Sequence, residues 1–406
     1  MNASFSTKVL LIVSLCITLI LLTGCWDRKE VNDLALVMAT GIDKKDDKTI
    51  ELSIQVFIPR AAGGGGGGGG EGGMSGSGGG TEQTLVRSEV GTTIADAMSK
   101  LQEKIPRKIF WGHGEVFIIG EKLAREGISE HIDFLLRDPE PRVRADMLVS
   151  KGEAKEVLEL LPPLERSSAE VLREMAKTRI GIQTTVNDLA QMLAGDSGAA
   201  ALPWVEILPP NPDKKKQQQT IPYITGTAVF KKDKMVGRIN DKVTRGLLWL
   251  RNEIKLATVT ITPREAEGYV STRMLSSHTV LIPKINDEKW SITVKIETKN
   301  DMLQNTTNLS MMNPKLLKAI ENGLEKDIVN YVQMALTSGQ QKYKADIFGF
   351  ADAFHRKYPK SWNKTKERWD EIFPEIEVNV EVKAKILRSG MSSEGAVRPE
   401  NEVRKK

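Results

Sequence analysis

Cysteine is nearly missing from this chain, and its scarcity removes several chemistries at once. Among 406 residues there are two, Cys16 and Cys25. The first lies in an apolar stretch near the start and the second directly after it, so the body that follows holds no thiol for a disulfide, a metal or a nucleophile. Histidine is almost as sparse. His113, His131, His278 and His355 stand far apart, with no His-x-x-x-His or Glu-x-x-His spacing, and metal sites need closely presented ligands. The Gly-x-Ser-x-Gly serine nucleophile is absent, because Gly73-Met74-Ser75-Gly76-Ser77 lacks its last glycine. Paired acids such as Asp370-Glu371 occur, yet spacing along a chain does not place two carboxylates at glycosidase distance. No catalytic residue, metal ligand or cofactor is therefore assigned, and the chain is expected not to be an enzyme.

What is present begins at the N-terminus. Met1 to Lys8 is polar with one positive charge, Val9 to Leu22 is mostly Leu, Ile and Val, and Leu22-Thr23-Gly24-Cys25 closes it with small residues. This is the layout of a bacterial lipoprotein signal, here residues 1–24. The apolar run of about 14 residues is short for a helix that must cross roughly 30 Å of hydrocarbon. An uncleaved N-terminal anchor is the alternative. Cleavage makes Cys25 the first mature residue, carrying an S-diacylglycerol and an N-palmitoyl chain. One acyl chain binds a membrane marginally and two or more hold it stably. Trp26 follows, where an amphipathic indole suits the headgroup level, or equally packs on the domain.

Removing Lys8, the only charged residue before Cys25, lowers the formal charge from +5 to +4. Acids and bases are interspersed. Lys214-Lys215-Lys216 and Arg404-Lys405-Lys406 are basic clusters in polar surroundings typical of a linker and a tail. An exported body argues against nucleic acid as a partner. About 380 mature residues are enough for two or three domains with their own cores.

In the N-terminal part, 25–208, Asp27 and Glu30 have capping-box spacing, which predicts a short helix carrying Val31, Leu34 and Ala35. Ile50 to Ile58 alternates as a half-buried strand stopped by Pro59. The glycine-rich loop 61–82 follows, too poor in apolar side chains to be buried, with an expected spread of about 20 to 25 Å. No Gly-Lys-Ser or Gly-Lys-Thr closes it, so it is not a phosphate loop, and a loop of this length is tolerated inside one domain. Strands are predicted at 85–90, 116–119 and 143–149. Helices are predicted from Thr92 or Thr93 through Leu101, and at 122–125, 128–136, 153–161, 163–175 and 185–193. Trp111-Gly112-His113-Gly114 reads as a turn. The order lacks the regular alternation of a doubly wound parallel sheet.

Pro209 to Thr220, rich in Pro, Lys and Gln, is the expected linker. Beyond it, 221–391 reads as α+β, followed by a tail, 392–406. Strands are predicted at 225–230, 235–238, 257–261 and 279–283, and Trp290, Ile292, Val294 and Ile296 alternate along another. Asn313-Pro314 starts a long helix with Leu317, Ile320, Leu324, Ile328, Tyr331 and Ala335 on one stripe. Ile376, Val378, Val380, Val382, Ala384 and Ile386 form a one-sided strand. The expected fold is a multidomain α+β body with mixed, largely antiparallel sheets and flanking helices.

Several strings occur in a specific order: Gly24 to Val31, Trp111-Gly112-His113, Asp133 to Pro139, Ala154 to Leu158, Gly226 to Phe230, Val236-Gly237, Gly246 to Leu250, Tyr343 to Phe350 and Tyr358-Pro359. Together they resemble the Ger(x)C family, the lipoprotein C subunit of the nutrient germinant receptors of endospores. The long glycine tract departs from the family pattern. The resemblance implies a non-enzymatic subunit of three α+β domains, which allows the second half to divide near Ser276. It implies a place on the outer face of the spore inner membrane, beside an A-type subunit and a transporter-like B-type subunit that takes the nutrient. No small-molecule ligand is then expected here. Trp26, Asp27, Trp111, Gly112, His113, Asp346, Phe348 and Gly349 are motif positions whose simplest account is packing and turn geometry. A solute-binding lipoprotein, with two α/β lobes around a cleft, and a membrane-tethered cell-wall hydrolase are the readings from other classes.

Overall fold

The computed structural model describes residues 33–58, 84–209, 220–264, 266–310 and 313–388, together with Thr7, Leu11 and Ser14. Apart from Thr7, Leu11 and Ser14, the predicted signal lies outside the described residues, as do Cys25, Trp26, Asp27, the glycine-rich loop and the tail.

The first half is built on one sheet. Its strands are β1 (Leu34–Lys44), β2 (Ile50–Phe57), β3 (Thr84–Gly91), β4 (Lys108–Phe110), β5 (Val116–Gly120), β6 (Asp146–Ser150), β7 (Ala199–Ile207), β8 (Pro222–Lys231) and β9 (Lys234–Ile239). They lie in the order β3-β2-β1-β5-β6-β7-β8-β9, with β4 paired to the start of β1. The antiparallel pairs are at the two flanks, whereas β1, β5, β6 and β7 run parallel through the centre. Central parallel strands are buried on both faces and read as unbroken apolar runs, so alternation does not reveal them. In β5, Phe117 and Ile119 face one core and Val116 and Ile118 the other.

Helices cover both faces. Helices α1 (Ile94–Lys104), α2 (Glu121–Glu126), α3 (Ser129–Arg137) and α6 (Val186–Ala194) supply Leu101, Leu123, Leu135 and Leu189 to one core. Helices α4 (Ala154–Leu158) and α5 (Ser168–Thr178) supply Val157 and Leu172 to the other. The Thr93 side chain caps α1, accepting from the Asp96 N–H, and Thr185 and Asp188 form a full capping box at α6. Leu34 and Ala35, expected on a helix, open strand β1 instead. They are followed by an almost continuous buried run to Asp43, and the parallel pairing of Leu34 to Leu36 with β4 overrides the local capping-box spacing.

The segment 209–220 connects β7 to β8, which pair antiparallel, so the large sheet continues past it into β9. Its ends are tied by the Thr220 hydroxyl donating to the Leu208 carbonyl at 2.7 Å. Its residues 210–219 lie outside the described residues, and the strands on either side are neighbours.

Helix α7 (Asp241–Leu250) then leads into a second sheet of β10 (Thr258–Ile261), β11 (Val270–Asn286), β12 (Lys289–Asn305) and β13 (Glu377–Arg388), in that order. Ser276 sits inside β11, beside a bulge at Met274, so no division of the chain falls there. The predicted strand 279–283 is the middle of this longer hairpin arm. Between β12 and β13 the chain forms α8 (Pro314–Leu336), a π-helical turn (Thr337–Tyr343), α9 (Phe350–Lys357), α10 (Pro359–Thr365) and α11 (Trp369–Glu375). Asn313 caps α8. The buried stripe of α8 is Leu316, Ile320, Leu324, Ile328, Val332 and Ala335, so the expected Leu317 and Tyr331 are flanking, half-buried positions. This stripe packs with Ile292, Val294 and Ile296 in a core that also takes in Ala201 and Val229 of the first sheet. The whole is the expected multidomain α+β architecture.

Candidate functional site

The motif around Asp346 lies where the two halves meet. The π-helical turn ends on Lys344 in the left-handed region, at φ 49°, and Gly349 precedes α9 at φ 82°. Between these reversals the Asp346 side chain is buried. It accepts from the N–H groups of Phe348 (3.2 Å), Phe350 (3.2 Å) and Ala351 (2.7 Å). Burial pushes its carboxyl up to about 6, against the opposing pull of those hydrogen bonds. Phe348 enters an aromatic cluster, with ring centroids 5.3 Å from Phe350 and 6.1 Å from Phe373. A β-carbon at Gly339 would overlap the Phe348 ring, so glycine is needed at that approach.

The same loop lines a cavity of about 450 Å³ between the halves. Its walls include Arg251, Asp346, Gly349 and Asp352 from the second half and Asp188 and Asp196 from the first. Burial, then the charge of Asp196, raise the Asp352 carboxyl above its usual value. His355 on α9 places Nδ1 2.5 Å from Asp196 Oδ2 and stacks on Trp362 with centroids 5.8 Å apart. Arg251 is held by Glu253 at 2.8 Å. The cleft is thus polar: Arg251 pairs with Glu253 and His355 with Asp196, while Asp346 is held by backbone N–H groups and Asp188 by the capping box of α6.

The second motif, Trp111-Gly112-His113, is a single 3-10 turn between β4 and β5. Trp111 is buried in the core with Ala35, Val37 and Phe117. A β-carbon at Gly112 would stand 2.9 Å from the Phe110 ring. The turn is closed by the Gly114 N–H donating to the Trp111 carbonyl, and Glu115 N–H donates to Met38 of β1. Asp346, Phe348 and Gly349 therefore share one loop and Trp111 to His113 share another, and among the described residues no hydrogen bond joins the two.

Sequence reasoning passed over two buried polar centres. Asp43, closing β1, accepts from Ala154 N–H at 2.7 Å and Lys155 N–H at 3.0 Å, so it caps α4 across the sheet. Burial pushes its carboxyl up to about 6. A β-carbon at Gly120 would collide with that carboxylate. Gln55 in β2 donates to the Leu158 carbonyl (2.7 Å) and Ser168 hydroxyl (3.1 Å) and accepts from Ala169 N–H (3.3 Å). The available signal was a polar residue in an otherwise apolar strand, which must find partners when buried.

Among the described residues no group of three His, Cys, Asp or Glu side chains is placed to hold a metal ion. No described helix is long and apolar enough to cross a membrane.

Two family models match consecutive parts of the chain: the spore germination protein N-terminal domain over residues 27–207 and the spore germination B3/GerAC-like C-terminal domain over 225–390. The Bacillus subtilis (strain 168) protein YfkR is 31% identical over 369 residues, covering 89% of this chain and 91% of that protein. The chain belongs to the Ger(x)C family of spore germination proteins. Spore germination protein KC of the same organism is 29% identical over 404 residues, covering 95% and 96% of the two chains. The crystal structure of the GerBC protein matches with a TM-score of 0.56 at 20% identity, over 86% of this chain and 96% of that one. That likeness supports the α+β fold. The family models change over between residues 207 and 225, at the connection between β7 and β8.

Proposed function

We propose that this Ger(x)C protein is the lipid-anchored C subunit of a spore germinant receptor, acting through assembly or signalling rather than catalysis. The observation that carries this is collinearity. The family match begins at residue 27, two residues after the lipobox cysteine Cys25, and runs to residue 390. A body of this kind directly behind a lipidated cysteine is held at a membrane without spanning it. Its partners are then A-type and B-type membrane subunits on the outer face of the spore inner membrane. Nutrient recognition then belongs to a partner subunit. Affinity capture of the full chain from dormant-spore membranes tests the proposal. A- and B-type subunits should be recovered with it, and their absence from a preparation that retains them would refute the subunit role.

A further inference from the structure

The edges of the two sheets are guarded unequally. On β3 the carbonyls of Val86 and Val90 accept from Arg87 and Lys100. On β9 the Arg238 carbonyl accepts from the Tyr343 hydroxyl at 2.6 Å. Strand β13 is the terminal strand of its sheet, running parallel to β12. Its even-numbered residues turn their main-chain groups away from β12: Ala384 N–H donates to Glu325 at 3.2 Å and Ile386 N–H to Glu321 at 3.1 Å. The odd-numbered Lys385 directs its carbonyl inward, where Asn300 of β12 reaches it at 3.3 Å. By the same alternation Val378, Val380 and Val382 present N–H and C=O outward. Among the described residues no side chain caps them.

The open stretch is bounded evenly about Val380. On one side the Ile376 carbonyl is taken by Gln340 at 3.0 Å, and on the other the Ala384 N–H is taken by Glu325. Antiparallel pairing of two copies about Val380 sets Val380 against Val380, Val378 against Val382, Asn379 against Glu381 and Glu377 against Lys383. Each facing pair of valines then exchanges hydrogen bonds, about six in all. Glu377, Asn379, Glu381 and Lys383 are exposed and Val378, Val380 and Val382 are half-buried, so the opposite charges meet in solvent and the valines extend an existing apolar face. Moving the centre to residue 381 keeps an opposite pair, Glu377 against Lys385, but sets Glu381 against itself, and moving it to 379 sets Glu377 against Glu381 with no opposite pair. Like charges directly opposite one another oppose both alternatives.

We infer that the open edge of β13 pairs with β13 of a second copy of this chain, antiparallel and centred on Val380, joining the two four-stranded sheets into one. An uncapped edge is a template for strand addition, and the self-complementary charges select a second copy as the occupant. Confinement to a membrane raises the local concentration at which so short a contact forms.

Disulfide trapping of the full chain in bilayers tests this, with the wild-type chain as background. Facing residues of a hydrogen-bonded antiparallel pair have Cα atoms about 5.5 Å apart, within disulfide range. Val380→Cys should give a disulfide-linked dimer at least fivefold above background. Glu381→Cys alone should give markedly less, and Asn379→Cys combined with Glu381→Cys should restore it. Lys383→Glu, in the Val380→Cys background, should reduce trapping severalfold, and adding Glu377→Lys should recover it. Val380→Pro, which removes an outward N–H and trims a half-buried side chain at the sheet edge, should remain folded and abolish any dimer seen by native mass spectrometry. Trapping of Val380→Cys at background level, equal trapping by Glu381→Cys, or a cross-link to a different polypeptide would each overturn the inference.

Discussion

His355 Nδ1 lies 2.5 Å from Asp196 Oδ2, tying α9 in the second half to the loop between α6 and β7 in the first. Both side chains keep contact with water, at 42% and 27% exposure. Ion pairs in such settings contribute about 0.2–1 kcal/mol. The junction is carried mainly by the shared apolar core, in which Ala201 and Val229 meet the second half. His355→Ala is therefore expected to lower unfolding free energy by no more than about 1 kcal/mol, measured by denaturant titration. A much larger loss would show that the pair, rather than the core, governs the junction.

Asp346 sits a few residues earlier in a different regime, since its carboxylate is the acceptor for three buried N–H groups. Leaving each without a partner costs about 1–3 kcal/mol. Asp346→Ala should therefore destabilise the chain by at least about 3 kcal/mol, while Asp346→Asn, which keeps one carbonyl acceptor, should cost less. Thermal unfolding of the two variants against wild type checks the order.

The contrast between these residues marks what the sequence made legible. Asp346 to Phe350 stood out as a string, and Asn313-Pro314 located the start of α8 because capping chemistry is local. The alternation of Ile292, Val294 and Ile296 identified a buried face of β12 for the same reason. Parallel pairing of β1, β5, β6 and β7 joins segments far apart in the chain and leaves no periodic signature, so β5 and most of β6 were legible as strands while β1, β7 and the parallel pairing itself were not. Asp43 and Gln55 were missed because their partners lie more than 100 residues away. The cleft at Asp196 and His355 is likewise a product of tertiary packing.

Asp43 and Asp346 also give stability a direction with pH. Burial raises each carboxyl from 3.8 to about 6, so the folded chain holds these protons more tightly than the unfolded one. Their contribution is complete below about pH 4 and is lost as pH rises through about 6, up to about 3 kcal/mol for each. Asp43→Asn stays neutral at every pH and removes one of the two. The unfolding free energy of wild type should accordingly fall more steeply between about pH 4 and 7 than that of Asp43→Asn. Parallel curves would contradict the raised value.

At Gly246 helix α7 lies close against α8. A β-carbon there would overlap the Tyr331 carbonyl and stand 2.9 Å from the Ala335 β-carbon. Gly246→Ala should cost about 1–3 kcal/mol through overpacking, read from the shift in unfolding midpoint. Because the nearer obstacle is main chain, adding Ala335→Gly should not rescue it. Recovery by that second change would mean that the side chain alone sets the spacing.

The lipid proposed at Cys25 makes the prediction with the widest consequence. The mature chain as proposed has no other thiol, so Cys25→Ala should eliminate both acyl-chain labelling and retention in the membrane fraction. An uncleaved N-terminal anchor would leave the membrane fraction undiminished and lose at most the label, which separates the two readings in one fractionation. The first described strand begins at Leu34, and nine residues of extended chain span at most about 30 Å. The end of the body formed by β1, β4 and the Trp111 turn is then tethered within that distance of the bilayer. Loss of the tether should remove the protein from its receptor partners even though its fold is unchanged. Capture of A- and B-type subunits should fall with membrane retention, while the unfolding midpoint of the soluble variant stays at the wild-type value.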